Sequence, residues 1–188
     1  MVGLGNPGEE FAGTRHNVGA DAVALLAERH GSGRLKAMKG QQARVDEVRI
    51  RGARVVLAVP TTYMNDSGGA VRPLLRRFGI DDPAKLLVIH DELDLAPGRV
   101  RVKAGGGTAG HNGLKSVQSH VHSADFGRIR IGVGKPPGRQ AGAEYVLRRP
   151  ARAEREALDT AISLAADAAE VVATDGLEAA MNRCNGRS

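Results

Sequence analysis

Three short apolar runs, residues 55–59, 86–89 and 129–133, each bounded by turn-forming residues, set the strongest limit on how this chain can fold. Runs this short and this rich in Val, Ile and Leu read as strands buried on both faces. Helical patterns lie between them. Residues 16–30 place Val18, Ala22, Leu25, Leu26 and Arg29 at helical spacing and stop at Gly31, a suitable left-handed cap. Asp66 or Ser67 can cap a second helix through Val71, Leu74, Leu75 and Phe78 that ends at Gly79, with Pro73 expected near its first turns. Residues 42–50 and 99–104 alternate apolar and charged side chains, as strands with one wet face do. Residues 150–173 form an alanine-rich amphipathic pattern opened by Pro150. This order predicts a single α/β domain over residues 1–188, with a mixed, mostly parallel central sheet and helices on both faces.

Charge and composition narrow the function. Residues 95–140 hold eight cations, among them Lys103, Arg128 and Arg130, against Asp125 alone; that excess exceeds the +6 of the whole chain. A second basic stretch, residues 29–54, carries eight cations against Asp46 and Glu47. Concentrated charge of this kind suits phosphate backbones, although solvated arginine-rich faces would look similar. Aromatic residues make up only 3% of the chain, too few for base-stacking platforms. No apolar run reaches 18 residues and no secretory signal opens the chain, so neither membrane nor export is expected and a cytoplasmic location is. The lone cysteine, Cys184, excludes an internal disulfide and a Cys-based zinc site.

Gly3-Leu-Gly-Asn-Pro-Gly8 spells the glycine pattern of dinucleotide-binding turns, but its context is wrong. Glu9 and Glu10 would face the pyrophosphate, several residues precede the helix, and Asp21 falls inside that helix instead of ending a second strand. A sharp turn that exposes Asn6 and delivers His16 to the same sheet edge is the better use. The second glycine run, residues 105–107, lacks the Gly-Lys-Ser of a phosphate-binding loop.

Sites in open α/β sheets form beyond the carboxyl ends of strands. Asn6 and His16 follow the first strand, Asn65 follows residues 55–59, Asp91 ends the stretch from Leu86 to His90, and Asn112 follows the second glycine run. Each alone can serve a turn or cap. Together they make one base, one carboxylate and three amides. No nucleophilic serine motif is present, so water would be the nucleophile, activated by a histidine that a carboxylate orients, with amides steadying the oxyanion. That chemistry is ester or amide hydrolysis. His120 with His122, or His90 beside Asp91 and Glu92, would be the metal alternative, but neither has the spacing of a zinc motif and no metal is expected.

The strings Val2-Gly-Leu-Gly-Asn-Pro-Gly8, Thr14-Arg-His-Asn-Val-Gly19, Pro60-Thr-Thr-Tyr-Met-Asn65, His90-Asp-Glu-Leu-Asp94, Gly110-His-Asn-Gly-Leu114 and Arg128-Ile-Arg-Ile-Gly-Val-Gly134 resemble the bacterial-type peptidyl-tRNA hydrolase family over nearly the whole chain. The resemblance implies a monomeric, cofactor-free enzyme that cleaves the ester between a peptide and the tRNA 3′ ribose and so recycles tRNA. It implies His16 as base with Asp91 as partner, and Asn6, Phe11, Tyr63, Met64, Asn65 and Asn112 as substrate contacts. Lys103 and Arg130 would hold the tRNA 5′ phosphate, and the helical tail would meet the tRNA, although residues 141–188 are net acidic here. Three departures stand out. A short first strand is expected from Met1-Val2, where the family carries more apolar residues; Phe11 stands where tyrosine is common; and Thr108-Ala109 replaces a His-Gly type of pair. The alternatives are a non-catalytic tRNA-binding module of the same fold, which would need His16 or Asp91 missing or misplaced, and a small-ester hydrolase, which would not need the basic segment.

Overall fold

The structure, a computed structural model, describes residues 1–186. Seven strands build one sheet: β1 (Val2–Gly3), β2 (Lys36–Ala37), β3 (Ala43–Ile50), β4 (Ala53–Pro60), β5 (Leu87–Glu92), β6 (Val100–Ala104) and β7 (Gly127–Gly132), in the order β2-β3-β4-β1-β5-β7-β6. The four central strands, β4, β1, β5 and β7, are parallel, and the outer strands pair antiparallel. The helices are α1 (Val18–His30), α2 (Ser67–Arg77), α3 (Asn112–Val121), α4 (Gly142–Val146), α5 (Arg152–Asp175) and α6 (Leu177–Asn185).

The apolar residues of the sheet divide between two layers. On one face α1, α5 and α6 enclose Leu26, Ile89, Ile129, Ile131 and Leu158; on the other α2 and α3 cover Leu4, Val88, Leu114, Val117 and Phe126. The α/β expectation, with helices on both faces, therefore holds. Helix α5 presents Ala161, Ala165, Ala168 and Ala169 to the core. Their small side chains allow close approach, and a leucine at Ala165 would overpack the layer at a cost of about 1–3 kcal/mol. Glycines do the same where α1 meets the sheet: a Cβ on Gly3 would lie 2.3 Å from Gly19 O, and one on Gly19 2.1 Å from Ile89 O. The glycine pattern at the start of the chain thus serves helix-on-sheet packing.

Four local expectations are corrected. Gly31 is extended rather than left-handed (φ −119°); its hydrogen is needed because a Cβ there would lie 2.0 Å from Asp46 Oδ2. Pro73 sits in the middle of α2, on its exposed side, where water can satisfy the carbonyl bond that proline forgoes. Neither Asp66 nor Ser67 caps α2 through its side chain; Ser67 Oγ turns back to donate to Met64 O at 2.6 Å. Asp91 does not follow a strand but lies within β5, all six of whose residues are buried. The first strand is as short as expected, and the buried Met1 amino group donates to Val56 O at 2.7 Å, burial pushing its pKa down to about 5.

The topology locates the site. β1 lies between β4 and β5; α1 follows it on one face, and α2 carries the chain from β4 across to β5 on the other. Chain direction diverges above the carboxyl end of β1, which opens a crevice there.

Candidate active site

A cavity of 420 Å³ occupies this crevice, and Asn6, Phe11, His16, Tyr63, Met64, Asn65, Asp91 and Asn112 all line it. Eight residues spread between positions 6 and 112 of the sequence are thus brought around one cavity. Leu93, Ala143, Val146 and Leu147 add an apolar side. Tyr63 and Leu147 stay largely exposed at the rim, and the Phe11 and Tyr63 rings meet edge to face at 6.3 Å.

Asp91 organises the polar side. Its Oδ2 accepts from His16 Nδ1 at 2.8 Å and its Oδ1 from His111 Nε2 at 2.7 Å. Burial works to raise its pKa, but the two imidazoles outweigh that effect and hold the carboxyl well below its usual range. A carboxylate can only accept, so each facing ring nitrogen carries the hydrogen.

The two histidines are not equivalent. His111 is the residue before α3, and its Nδ1 accepts from Leu114 N–H at 3.2 Å, so both ring nitrogens are committed. His16 keeps Nε2 for a visitor to the cavity. Only His16 is placed to take a proton from a bound water, and His111 braces the carboxylate. His16, Asp91 and His111 also form the only group of three or more metal-ligand donors within 4.8 Å of one another among the described residues, in place of the His120/His122 and His90 sets considered from sequence. Both imidazoles aim their donor nitrogens at the carboxylate, which is the geometry of hydrogen bonding.

Backbone contacts fix the Asn6 amide. Asn17 accepts from Asn6 N–H at 2.8 Å through Oδ1 and donates to Asn6 O at 2.9 Å through Nδ2. Asn6 Oδ1 in turn accepts from Met64 N–H at 2.7 Å, which leaves the Asn6 NH2 as its working end. Met64 is buried and rests on Gly113, where a Cβ would lie 2.5 Å from its Sδ. Asn112 opens α3, a helix not read from the sequence, whose glycine-rich lead-in and histidine cap give no ordinary start signal.

Lys103 and Arg130 lie outside this cavity. They share a separate one of 120 Å³ with His90, Glu92, Gly107, Ala109, Leu114 and Arg128. Arg101 stands directly opposite Arg130, and Lys103 opposite Arg128, across β6 and β7. Like charges in such pairs repel. Glu92 Oε2 meets Arg130 Nε at 3.2 Å, and among the described residues no carboxylate pairs with Lys103. Ala109, from the departing Thr108-Ala109 pair, lines both cavities at φ 47°, a left-handed conformation that costs a residue with a Cβ roughly 1–2 kcal/mol.

A family model described as peptidyl-tRNA hydrolase matches residues 1–188. The chain belongs to the peptidyl-tRNA hydrolase family. Curated relatives of that name include one from Frankia alni, 51% identical over 183 residues, covering 97% of this chain and 91% of the relative. Another, from Mycolicibacterium vanbaalenii, is 48% identical over 182 residues, covering 97% and 94%. The crystal structure of peptidyl-tRNA hydrolase from Acinetobacter baumannii superposes with a TM-score of 0.91 at 39% identity, covering 98% of this chain and 93% of that one. Family membership agrees with the resemblance drawn from the motifs. Among the hydrogen-bonding residues of the site, His111 and Asn17 are those to which sequence reasoning assigned no role, as it assigned none to the apolar Leu93, Ala143, Val146 and Leu147; His111 and Asn17 lie inside quoted motifs, one residue from Asn112 and His16 respectively.

Proposed function

We propose that the protein hydrolyses the ester between a peptide and the 3′ ribose of tRNA, and that His16 and Asp91 carry the reaction. The observation that supports this most is the Asp91 carboxylate shared by two histidines, of which only His16 retains an uncommitted nitrogen facing the cavity. Water held at His16 Nε2 gives up a proton as its oxygen attacks the ester carbonyl carbon. Asp91 stabilises the imidazolium that results. Asn6, Asn65 and Asn112, which line the cavity, steady the oxyanion and orient the substrate through their NH2 groups. Collapse of the tetrahedral intermediate breaks the bond to the ribose oxygen, which recovers the proton from His16. The products are a free peptide carboxylate and a tRNA with its 3′ hydroxyl restored.

The apolar wall of Phe11, Tyr63 and Met64 receives the peptide, and Lys103 with Arg130 receives the tRNA 5′ phosphate. All these residues come from one chain, which supports action as a monomer. No helix among the described residues is long and apolar enough to cross a membrane, in keeping with work in the cytoplasm beside translation.

The test incubates the protein and its His16→Ala variant with N-acetylated aminoacyl-tRNA and with the free-amino form, in EDTA. Cleavage of the acetylated substrate alone, by the unmutated protein alone, is expected. Retained tRNA binding without cleavage would favour a non-catalytic module, and cleavage that EDTA abolishes would bring in a metal.

A further inference from the structure

The glycine run after β6 is not a flexible linker: three groups hold it down. Arg128 is almost fully buried, and its guanidinium donates to Gly107 O, to Gly106 O at 2.8 Å and to Ala124 O at 3.3 Å. Gln118, on α3, donates to Gly106 O from the other side at 3.0 Å. Gly105 N–H is bound to Phe126 O at 3.0 Å. The result is a fixed shelf, and the Lys103 side chain lies on it. A Cβ on Gly106 would lie 2.6 Å from Lys103 Nζ and 2.7 Å from its Cε.

From this we infer that Arg128 and Gly106 are positioning residues for Lys103: the shelf they form fixes where the Lys103 ammonium meets a phosphate. Arg128 does not itself meet the ligand, because its terminal nitrogens are spent on loop carbonyls. One cation of the basic segment is thereby assigned to the interior. The phosphate contact falls to Lys103, free of any carboxylate among the described residues, and to Arg130, which shares its charge with Glu92. Gly106, at φ 109°, is the position where the three nearest neighbours of an added methyl group all belong to the flexible Lys103 side chain, while the backbone conformation itself strains any residue with a Cβ.

The inference rests on the proposed tRNA hydrolysis, and the experiment separates the two. Gly106→Ala is compared with Lys103→Ala and with the double variant, because the methyl added at Gly106 would meet the Lys103 side chain. Substrates are N-acetylated aminoacyl-tRNAs carrying a 5′ phosphate or a 5′ hydroxyl. Gly106→Ala is expected to raise KM about 5- to 10-fold for the 5′-phosphate substrate, as loss of one phosphate contact does, with kcat and the KM for the 5′-hydroxyl substrate unchanged. In a Lys103→Ala background, Gly106→Ala should add nothing further, because it acts through that side chain.

Effects of Gly106→Ala and Lys103→Ala that simply add, or a KM that rises equally for both substrates, would overturn the inference. Should Gly106→Ala disturb folding, Gln118→Ala provides the second route: it removes one support from the loop and should raise KM on the 5′-phosphate substrate only, by a smaller factor. Failure of the parent to cleave either substrate would defeat the hydrolase reading itself, a result distinct from any of these.

Discussion

The two cavities at the top of the sheet treat their polar groups in opposite ways. At the end of β5 the groups around the base have assigned partners: Asp91 holds two imidazoles, Asn17 brackets Asn6, and Asn6 holds Met64. Across β6 and β7 cations stand directly opposite one another, Lys103 against the buried Arg128 and Arg101 against Arg130, with Glu92 paired to Arg130. The first arrangement fixes a geometry before the substrate arrives, as proton transfer requires. The second leaves like charges facing each other, a cost that the phosphate proposed to bind there would relieve. The difference teaches where each kind of substitution should be felt: rate at one cavity, affinity at the other.

The sharpest test of that division is His16→Ala, expected to lower kcat about 100-fold or more while tRNA binding stays near normal. Near-normal turnover, measured under saturating substrate, would remove His16 from the chemistry. Asp91→Asn is expected to reduce kcat by about 10- to 100-fold, more than it raises KM. The asparagine NH2 would face one of the two imidazole N–H groups it must accept from. An effect confined to KM would move Asp91 from the chemistry to substrate binding.

His90 lies between the two regions. It is buried, its Nδ1 donates to Asp91 O at 2.7 Å, its ring stacks edge-on against His111 at 5.1 Å, and its Nε2 lines the cation cavity without a protein partner among the described residues. Burial foremost, then the neighbouring His111, pushes its pKa down to about 3 from 6.5. The folded state therefore binds this proton more weakly than the unfolded chain does. Its neutral form contributes stability in full above pH 6.5, and that contribution falls as pH drops from 6.5 towards 3, by about 2 kcal/mol at pH 5. His90→Asn keeps a donor for Asp91 O and removes the titration. Urea unfolding at pH 7 and pH 5 should show a smaller acid loss for the variant, and equal losses would exclude His90 as the source.

The smallest expected effects belong to the cations. Lys103→Ala should raise KM roughly 10-fold and lower the salt slope of binding by about one unit, with kcat unaltered. Arg130→Ala should do less, because Glu92 already neutralises part of its charge. A kcat loss in either variant would break the division between the two cavities.

Much of this was legible along the chain. Strand runs such as 129–133 and the alanine-rich C-terminal helix declare themselves through periodicity, because burial on two faces or on one stripe imposes a pattern on consecutive residues. His16, Asp91 and the three asparagines were legible as polar residues near strand ends, and the excess of cations over residues 95–140 as simple charge. Other features depend on contacts between segments far apart in sequence. No local pattern says that His111 caps α3 and thereby commits both of its nitrogens, that Gly31 is glycine because Asp46 approaches it, or that Arg128 is buried under a loop while Arg130 is not. Local sequence pattern carried the central strands, the helices α1, α2 and α5 and the inventory of chemical groups, but not α3. Which of two histidines keeps an uncommitted nitrogen, and which cation is buried while its neighbour stays accessible, was settled by tertiary structure, because both depend on hydrogen-bond partners supplied by other parts of the fold.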